Sequence, residues 1–136
     1  MVRLDPSFES ARSYLGEAYL AKDQFAEAID ECRTAASLSP GSLSSQAELG
    51  AAYARSGDKK AALEILKEIG PNASAYDLAF LQAGFRDPDA TLVFLDKAHA
   101  ERNARIVNLP VHPHFAFLGK NAKFAAIVDD IKRKLH

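Results

Sequence analysis

The sequence predicts an all-α fold of stacked helical hairpins closed by a C-terminal capping helix. Three observations point to it. The pentapeptide LGEAY at residues 15–19 returns, with one change, as LGAAY at 49–53. Apolar residues recur at three- and four-residue intervals on both sides of short polar turns, which is the spacing of amphipathic helices. The last stretch sets Phe124, Ile127, Val128, Ile131 and Leu135 on one helical face.

With Leu15 and Leu49 in register, Gly16 aligns with Gly50, Ala18 with Ala52, Tyr19 with Tyr53, Ala28 with Ala62, and Ala35 with Ile69. The first unit covers residues 9–42 and the second 43–70, each reading as two helices. Their turns are Lys22-Asp23-Gln24 and Ser56-Gly57-Asp58, where Asp23 and Asp58 are placed to cap the following helix. Gly16 and Gly50, with Ala28 and Ala62 opposite, are expected to let the paired helices approach closely. Leu15, Tyr19, Leu49 and Tyr53 are expected to fill the space between hairpins. Pro40 ends the first unit, because proline cannot continue a helix.

A third, diverged unit spans 72–105. Leu78-Ala79 takes the place of Leu49-Gly50, and Asp87-Pro88 opens the second helix. Leu78 follows Leu49 more closely than Leu49 follows Leu15. The linker at Gly70-Pro71 is read as the shortened part, which predicts an altered packing angle. After Arg102 the period stops. Residues 106–136 comprise a loop, broken by Pro110 and Pro113, and a final helix capped by Asn121. Such a helix covers the face that the last member of a stack would otherwise expose. The whole chain, 1–136, reads as one domain. Leu4-Asp5-Pro6 stands before Leu38-Ser39-Pro40 at the same interval that separates Leu15 from Leu49. It therefore reads as the end of an earlier unit, so that the first hairpin would offer an exposed edge through which two copies associate.

Charge excludes several functions. The 17 Lys and Arg nearly balance 18 Asp and Glu, which gives no footprint for nucleic acid or an anionic membrane. Lys132, Arg133 and Lys134 complement the dipole of the last helix and have no interleaved aromatic to stack bases. No apolar stretch approaches the roughly 20 residues that span a bilayer, and no signal segment is present, so the expected location is cytoplasmic. The single cysteine, Cys32, sits at a packing position. His99, His112 and His114 lack a cysteine or carboxylate at ligand spacing, so neither metal nor cofactor is expected. Asp129 and Asp130 are adjacent on a helix and point apart, and no phosphate loop, HExxH or nucleophile elbow occurs. Catalysis has no support.

The residues Leu15, Gly16, Tyr19, Ala28, Ala35 and Pro40, then Leu49, Gly50, Tyr53 and Ala62, resemble the tetratricopeptide repeat in type and in spacing. Arg12 and Gln46 stand where the family has an aromatic in the first helix, and Cys32 and Leu66 where it has one in the second. The resemblance implies hairpins stacked as a short right-handed superhelix, with the first helices lining a concave groove that grips peptides. The groove positions it implies are Ser13, Glu17 and Leu20, then Ala47, Ala51, Ala54 and Arg55, then Tyr76, Phe80 and Ala83. The family's clamp for acidic tails needs cations or amides, and here Ser13, Glu17 and Glu48 occupy those places. The groove that remains suits a mainly apolar or helical ligand, with Tyr76 and Phe80 as anchors. Alternatively, the chain's own segment Val107–Phe117 fills it. From Phe94 onward the sequence also resembles the closing segment of repeat arrays in bacterial signalling proteins.

Two functions follow as expectations. One is a protein-interaction module binding another protein's peptide or helix in the groove, with no enzymatic activity. The other is a regulatory or sensory tail of a larger bacterial signalling protein, such as a transcription regulator or kinase.

Overall fold

A computed structural model describes the backbone of residues 6–134 and the side chains of residues 11–134. These residues form helices and no strand. Three antiparallel pairs follow one another: α1 (Pro6–Ala21) with α2 (Phe25–Leu38), α3 (Leu43–Ser56) with α4 (Lys59–Ile69), and α5 (Ala75–Gly84) with α6 (Pro88–Ala100). Two short 3-10 helices, Ala104–Val111 and Pro113–Leu118, form a strap that leads to α7 (Ala122–Lys134). α3 packs against both α2 and α5 and so sits at the centre of the stack.

The hairpin turns explain the sequence period. Asp23, Gly57 and Arg86 all adopt left-handed backbone angles, with φ of 59°, 96° and 56°. In the first two turns the next residue's N–H reaches back into the finished helix, Gln24 to the Tyr19 carbonyl at 2.9 Å and Asp58 to the Tyr53 carbonyl at 3.0 Å. This is the closure that ends a helix by satisfying its free carbonyls. The repeated tyrosine therefore marks the residue whose carbonyl closes the turn. Asp58 and Asp87 then cap α4 and α6, accepting from the amides of Ala61 at 3.1 Å and Ala90 at 3.2 Å. Asp23 does not cap. The residue before α2 is Gln24, which makes no side-chain cap, because Asp23 occupies the left-handed position that glycine holds in the second turn.

The left-handed turn residues Gly57 and Arg86 keep the same shortened interval as Leu49 and Leu78. The shortening is taken from helix rather than linker. α4 is 11 residues long against 14 in α2, and α5 is 10 against 14 in α3. The first helix begins earlier than the repeat register suggests. Pro6, expected to end a preceding unit, opens α1, where a proline is tolerated because the N–H it lacks would be unpaired. Leu4 and Asp5 lie outside the described residues, as does Leu135 of the predicted apolar face of α7.

Close helix approach rests on small residues, though not always against the expected partner. A Cβ on Gly16 would lie 2.6 Å from Cys32 Sγ, within the first hairpin. On Gly50 it would meet Leu81 at 2.8 Å and Ile65 at 3.3 Å, so this glycine chiefly admits the next hairpin rather than Ala62. On Gly84 it would lie 2.7 Å from Ala51 Cα, backbone against backbone between α5 and α3. Leu49 is buried among Leu20, Ala28 and Cys32 of the preceding hairpin. Leu15, expected to pack likewise, is 43% exposed. The leucine at this position packs backward, and among the described residues no hairpin precedes α1. Tyr19 and Tyr53 are partly buried in the same cluster as Leu49.

The larger core lies towards the other end, where Tyr76, Phe80, Leu92, Leu95, Ile106, Leu109, Phe115, Leu118, Phe124, Ile127 and Ile131 form one cluster. α7 closes it as a cap, and Asn121 accepts from the amides of Lys123 at 2.9 Å and Phe124 at 3.2 Å. The segment read as a broken loop is ordered by these contacts into its two 3-10 helices.

Gly16→Ala should destabilise the chain by about 1–3 kcal/mol through overpacking, and Cys32→Ala in the same chain should restore most of that loss. Gly84→Ala should cost more, and no side-chain trimming should rescue it, since the obstacle is the backbone of Ala51. Denaturant titration of the three variants decides between these outcomes.

Candidate functional site

α1, α3 and α5 lie side by side, so one side chain per helical turn from each contributes to a shared face. The structure places the predicted groove residues there with unequal access. Leu20, Ala47, Ala51, Ala54 and Ala83 are buried, whereas Ser13, Glu17 and Arg55 remain more open. Tyr76 and Phe80, expected as open aromatic anchors, are only 4% and 1% exposed. They are covered by the strap, which crosses this face.

Phe80 is the centre of that contact. The His114 ring stacks on it with centroids 4.0 Å apart, and Phe115 meets it edge-on at 6.0 Å. His112 approaches a further edge at 5.7 Å, and Tyr76 meets Phe115 edge-on at 6.0 Å. Edge and offset-stacked arrangements of this kind are the favourable ones for aromatic quadrupoles. Nε2 of His114 lies 2.7 Å from the Phe80 carbonyl. A carbonyl only accepts, so that nitrogen carries the proton and Nδ1, buried and without a partner, is the bare one. A second proton would place a charge in an apolar enclosure, and burial accordingly pushes the His114 pKa down to about 3.

Polar contacts pin the strap at both ends. Arg105 Nη1 donates to Asp77 Oδ1 at 2.8 Å and to Ser44 Oγ at 2.9 Å, and Ser44 in turn donates to the Asp77 carboxylate. The Arg105 guanidinium lies over the Tyr76 ring, 4.4 Å from its centroid. On the other side Arg86, at its strained left-handed turn, donates to the His114 carbonyl at 2.9 Å and covers Phe117. His112 Nε2 reaches within 3.7 Å of Glu17 on α1. The strap therefore touches all three first helices.

What stays open is a cavity of about 400 Å³ between α1, the end of α3 and the strap. Its apolar wall includes Ala18, Leu20, Val111 and Pro113, and its rim includes Glu17 and Arg55. Tyr14 (75% exposed) and Val111 (80%) stand free beside it. Arg55 is held by Asp23 at 2.6 Å and packs over Phe25. Beside this cavity, α1 and α3 enclose a polar recess that includes Ser13, Glu17 and Glu48. Glu48 is 6% exposed, and burial, with the neighbouring Glu17 charge adding, pushes its carboxyl up to about 7 against the opposing Ser13 hydroxyl and Arg105.

Sequence reasoning missed Tyr14, Arg105 and Val111. Tyr14 sits one residue from a groove position, and Arg105 and Val111 follow the end of the repeat, where no period assigns a face. Among the described residues no group of three or more histidines, cysteines or carboxylates is placed to hold a metal, and no helix is long and apolar enough to cross a membrane. Cys32 is buried beneath Gly16, and burial raises its thiol pKa.

Paired helices, left-handed turn closures and small-residue contacts at the repeat spacing define a helical-repeat protein. Comparison with known families matches residues 19–79 to the tetratricopeptide repeat. α6, the strap and α7 lie beyond the matched residues. No curated protein matches the chain.

Two of the perturbed groups, His114 and Glu48, give opposite pH dependences. The His114 pKa is about 3 in the fold against an ordinary 6.5, so its contribution is present above 6.5 and is lost as pH falls from there towards 3. Glu48, at about 7 against 4.5, favours the fold at low pH and costs stability as pH rises through 4.5 to 7. Glu48→Gln should therefore gain roughly 1–3 kcal/mol over the wild type at pH 8 and little at pH 4.5. Urea denaturation at the two pH values measures it. Phe115→Ala should cost about 3–5 kcal/mol and expose Phe80; an unchanged denaturation midpoint would show that the strap is not part of the core.

Proposed function

We propose that this chain is a protein-interaction module, with no catalysis of its own, that holds a peptide or helix of another protein in the part of the concave face left open by its strap. The observation that carries this is the cavity of about 400 Å³ with Tyr14 and Val111 exposed at its edge. Tetratricopeptide repeats generally mediate protein–protein interaction. Aromatic and aliphatic anchors beside a concave apolar wall are the features on which a peptide groove depends. The strap itself supports the reading, since it is a peptide segment seated on the same face through Phe115, His112 and Arg105. Tyr76 and Phe80 then serve the strap, and the partner meets Glu17, Arg55, Tyr14 and Val111.

A second reading is favoured by Leu15. Its equivalent, Leu49, is buried on the preceding hairpin, whereas Leu15 is exposed. A further repeat of a larger signalling protein, or a second copy of this chain, would cover it. In the first case the chain acts as that protein's regulatory tail.

Selection from a displayed random-peptide library tests the groove. The wild type should enrich a family of peptides, and Tyr14→Asp with Val111→Asp should abolish their binding while leaving the melting temperature within about 3 °C. Retained binding in that double variant places the site elsewhere. Light scattering of Leu15→Glu against the wild type tests the edge: a concentration-dependent mass lost in the variant supports self-association.

A further inference from the structure

We propose that the polar recess beside the groove is a subsite for a lysine or arginine side chain of the bound partner, received between the carboxylates of Glu17 and Glu48. This rests on the reading of the concave face as a peptide groove and gives that partner a chemistry.

The recess has a volume of about 340 Å³, and among the described residues every side chain lining it, apart from Tyr14, is a serine or a glutamate. Ionised carboxylates only accept hydrogen bonds, and serine hydroxyls accept as well as donate, so a ligand that donates finds acceptors throughout the recess. A ligand carboxylate or phosphate would meet two like charges. An apolar side chain would strip water from the glutamates and serines and return no hydrogen bond.

The second observation is an orphaned atom. Oε2 of Glu48 is buried and has no hydrogen-bond partner among the described residues. Buried polar atoms in folded proteins are almost always paired, and those at a recess that are not mark a place for a missing donor. The charge balance agrees. Asp77 on α5 and Glu48 on α3 both approach Arg105, whose Nη1 is already committed to Asp77 and Ser44 and whose Nη2 stays 4.0 Å from Glu48, while Glu17 on α1 adds a like charge beside Glu48. His112 faces Glu17 at 3.7 Å and does not reach Glu48 by any contact of its own. A further cation brought to Glu48 would relieve its repulsion with Glu17.

Shape favours a side chain over a free ion. Tyr14 and Glu17 line both the recess and the larger cavity, so the two are neighbouring parts of one trough. A peptide lying against Val111 and Pro113 can extend a basic side chain past Tyr14, whose ring packs on its methylenes or guanidinium. The two carboxylates fall short of the ligand set that a metal ion needs, in keeping with the absence of any three-ligand group among the described residues.

The test uses the whole chain and the peptides enriched from the random library. In the expected result those peptides share a lysine or arginine at a fixed distance from an apolar residue. Replacing that basic residue with norleucine then weakens binding roughly tenfold or more on the wild type, and far less on Glu48→Gln combined with Glu17→Gln. Both substitutions keep side-chain shape, and melting curves of the variant control for folding. Peptides that enrich without a shared basic residue, and that still lose binding on Tyr14→Asp with Val111→Asp, overturn the subsite while the groove stands. Equal norleucine penalties on wild type and double glutamine variant also overturn it. Absence of any enriched peptide overturns both readings.

Discussion

The seating of the strap on Phe80 is the interaction on which the rest of the molecule depends. His114 stacks on one side of that ring and Phe115 and His112 meet its edges, while the His114 Nε2–H is spent on the Phe80 carbonyl. This joins the strap to α5 through both ring contact and backbone bonding. α5 is short, and together with α6 it finds its apolar neighbours in the strap and α7 as well as in α3. Without the strap, Tyr76 and Phe80 would stand open to water and the largest cluster in the chain would lose its inner layer.

The same contact decides the chemistry left on the concave face. Its aromatic anchors are covered by the strap, and the open remainder is an apolar wall that includes Ala18, Leu20, Val111 and Pro113, with a polar recess at its side. Arg105 bonds Asp77 at 2.8 Å and lies farther from Glu48, at 4.0 Å. A face that looked small, neutral and aromatic when read position by position is therefore acidic at one end and half-filled at the other. The strained turn at Arg86 belongs to this arrangement, since the same residue's guanidinium binds the His114 carbonyl and covers Phe117.

Much of the repeat architecture was legible because it is written in local chemistry. The spacing of Tyr19 and Tyr53 corresponds to the carbonyl that closes each turn, and the shorter spacing of Leu49 and Leu78 carries through to the caps Asp58 and Asp87. Where local rules gave two possibilities, the structure chose. Asp23 was a suitable cap by type, yet its place in the turn is the left-handed one, and the carboxylate bonds Arg55 instead. Gly50 was expected to face Ala62 and meets Leu81, because α3 packs on the following hairpin as closely as on its own partner.

The sequence by itself determined the all-α class, the two clear hairpins, the shortened third and the apolar face of the last helix. Each of these follows from helical period, turn residues and caps, which act between residues near in the chain. Only the tertiary structure decided that Tyr76 and Phe80 are covered, that Leu15 is not, and that Glu17 and Glu48 share a recess. Those outcomes depend on where residues 104–118 fold back, and that segment has no period from which a face can be read. Its path is set by aromatic and charged contacts to helices far earlier in the chain, such as Arg105 to Ser44 and His114 to Phe80.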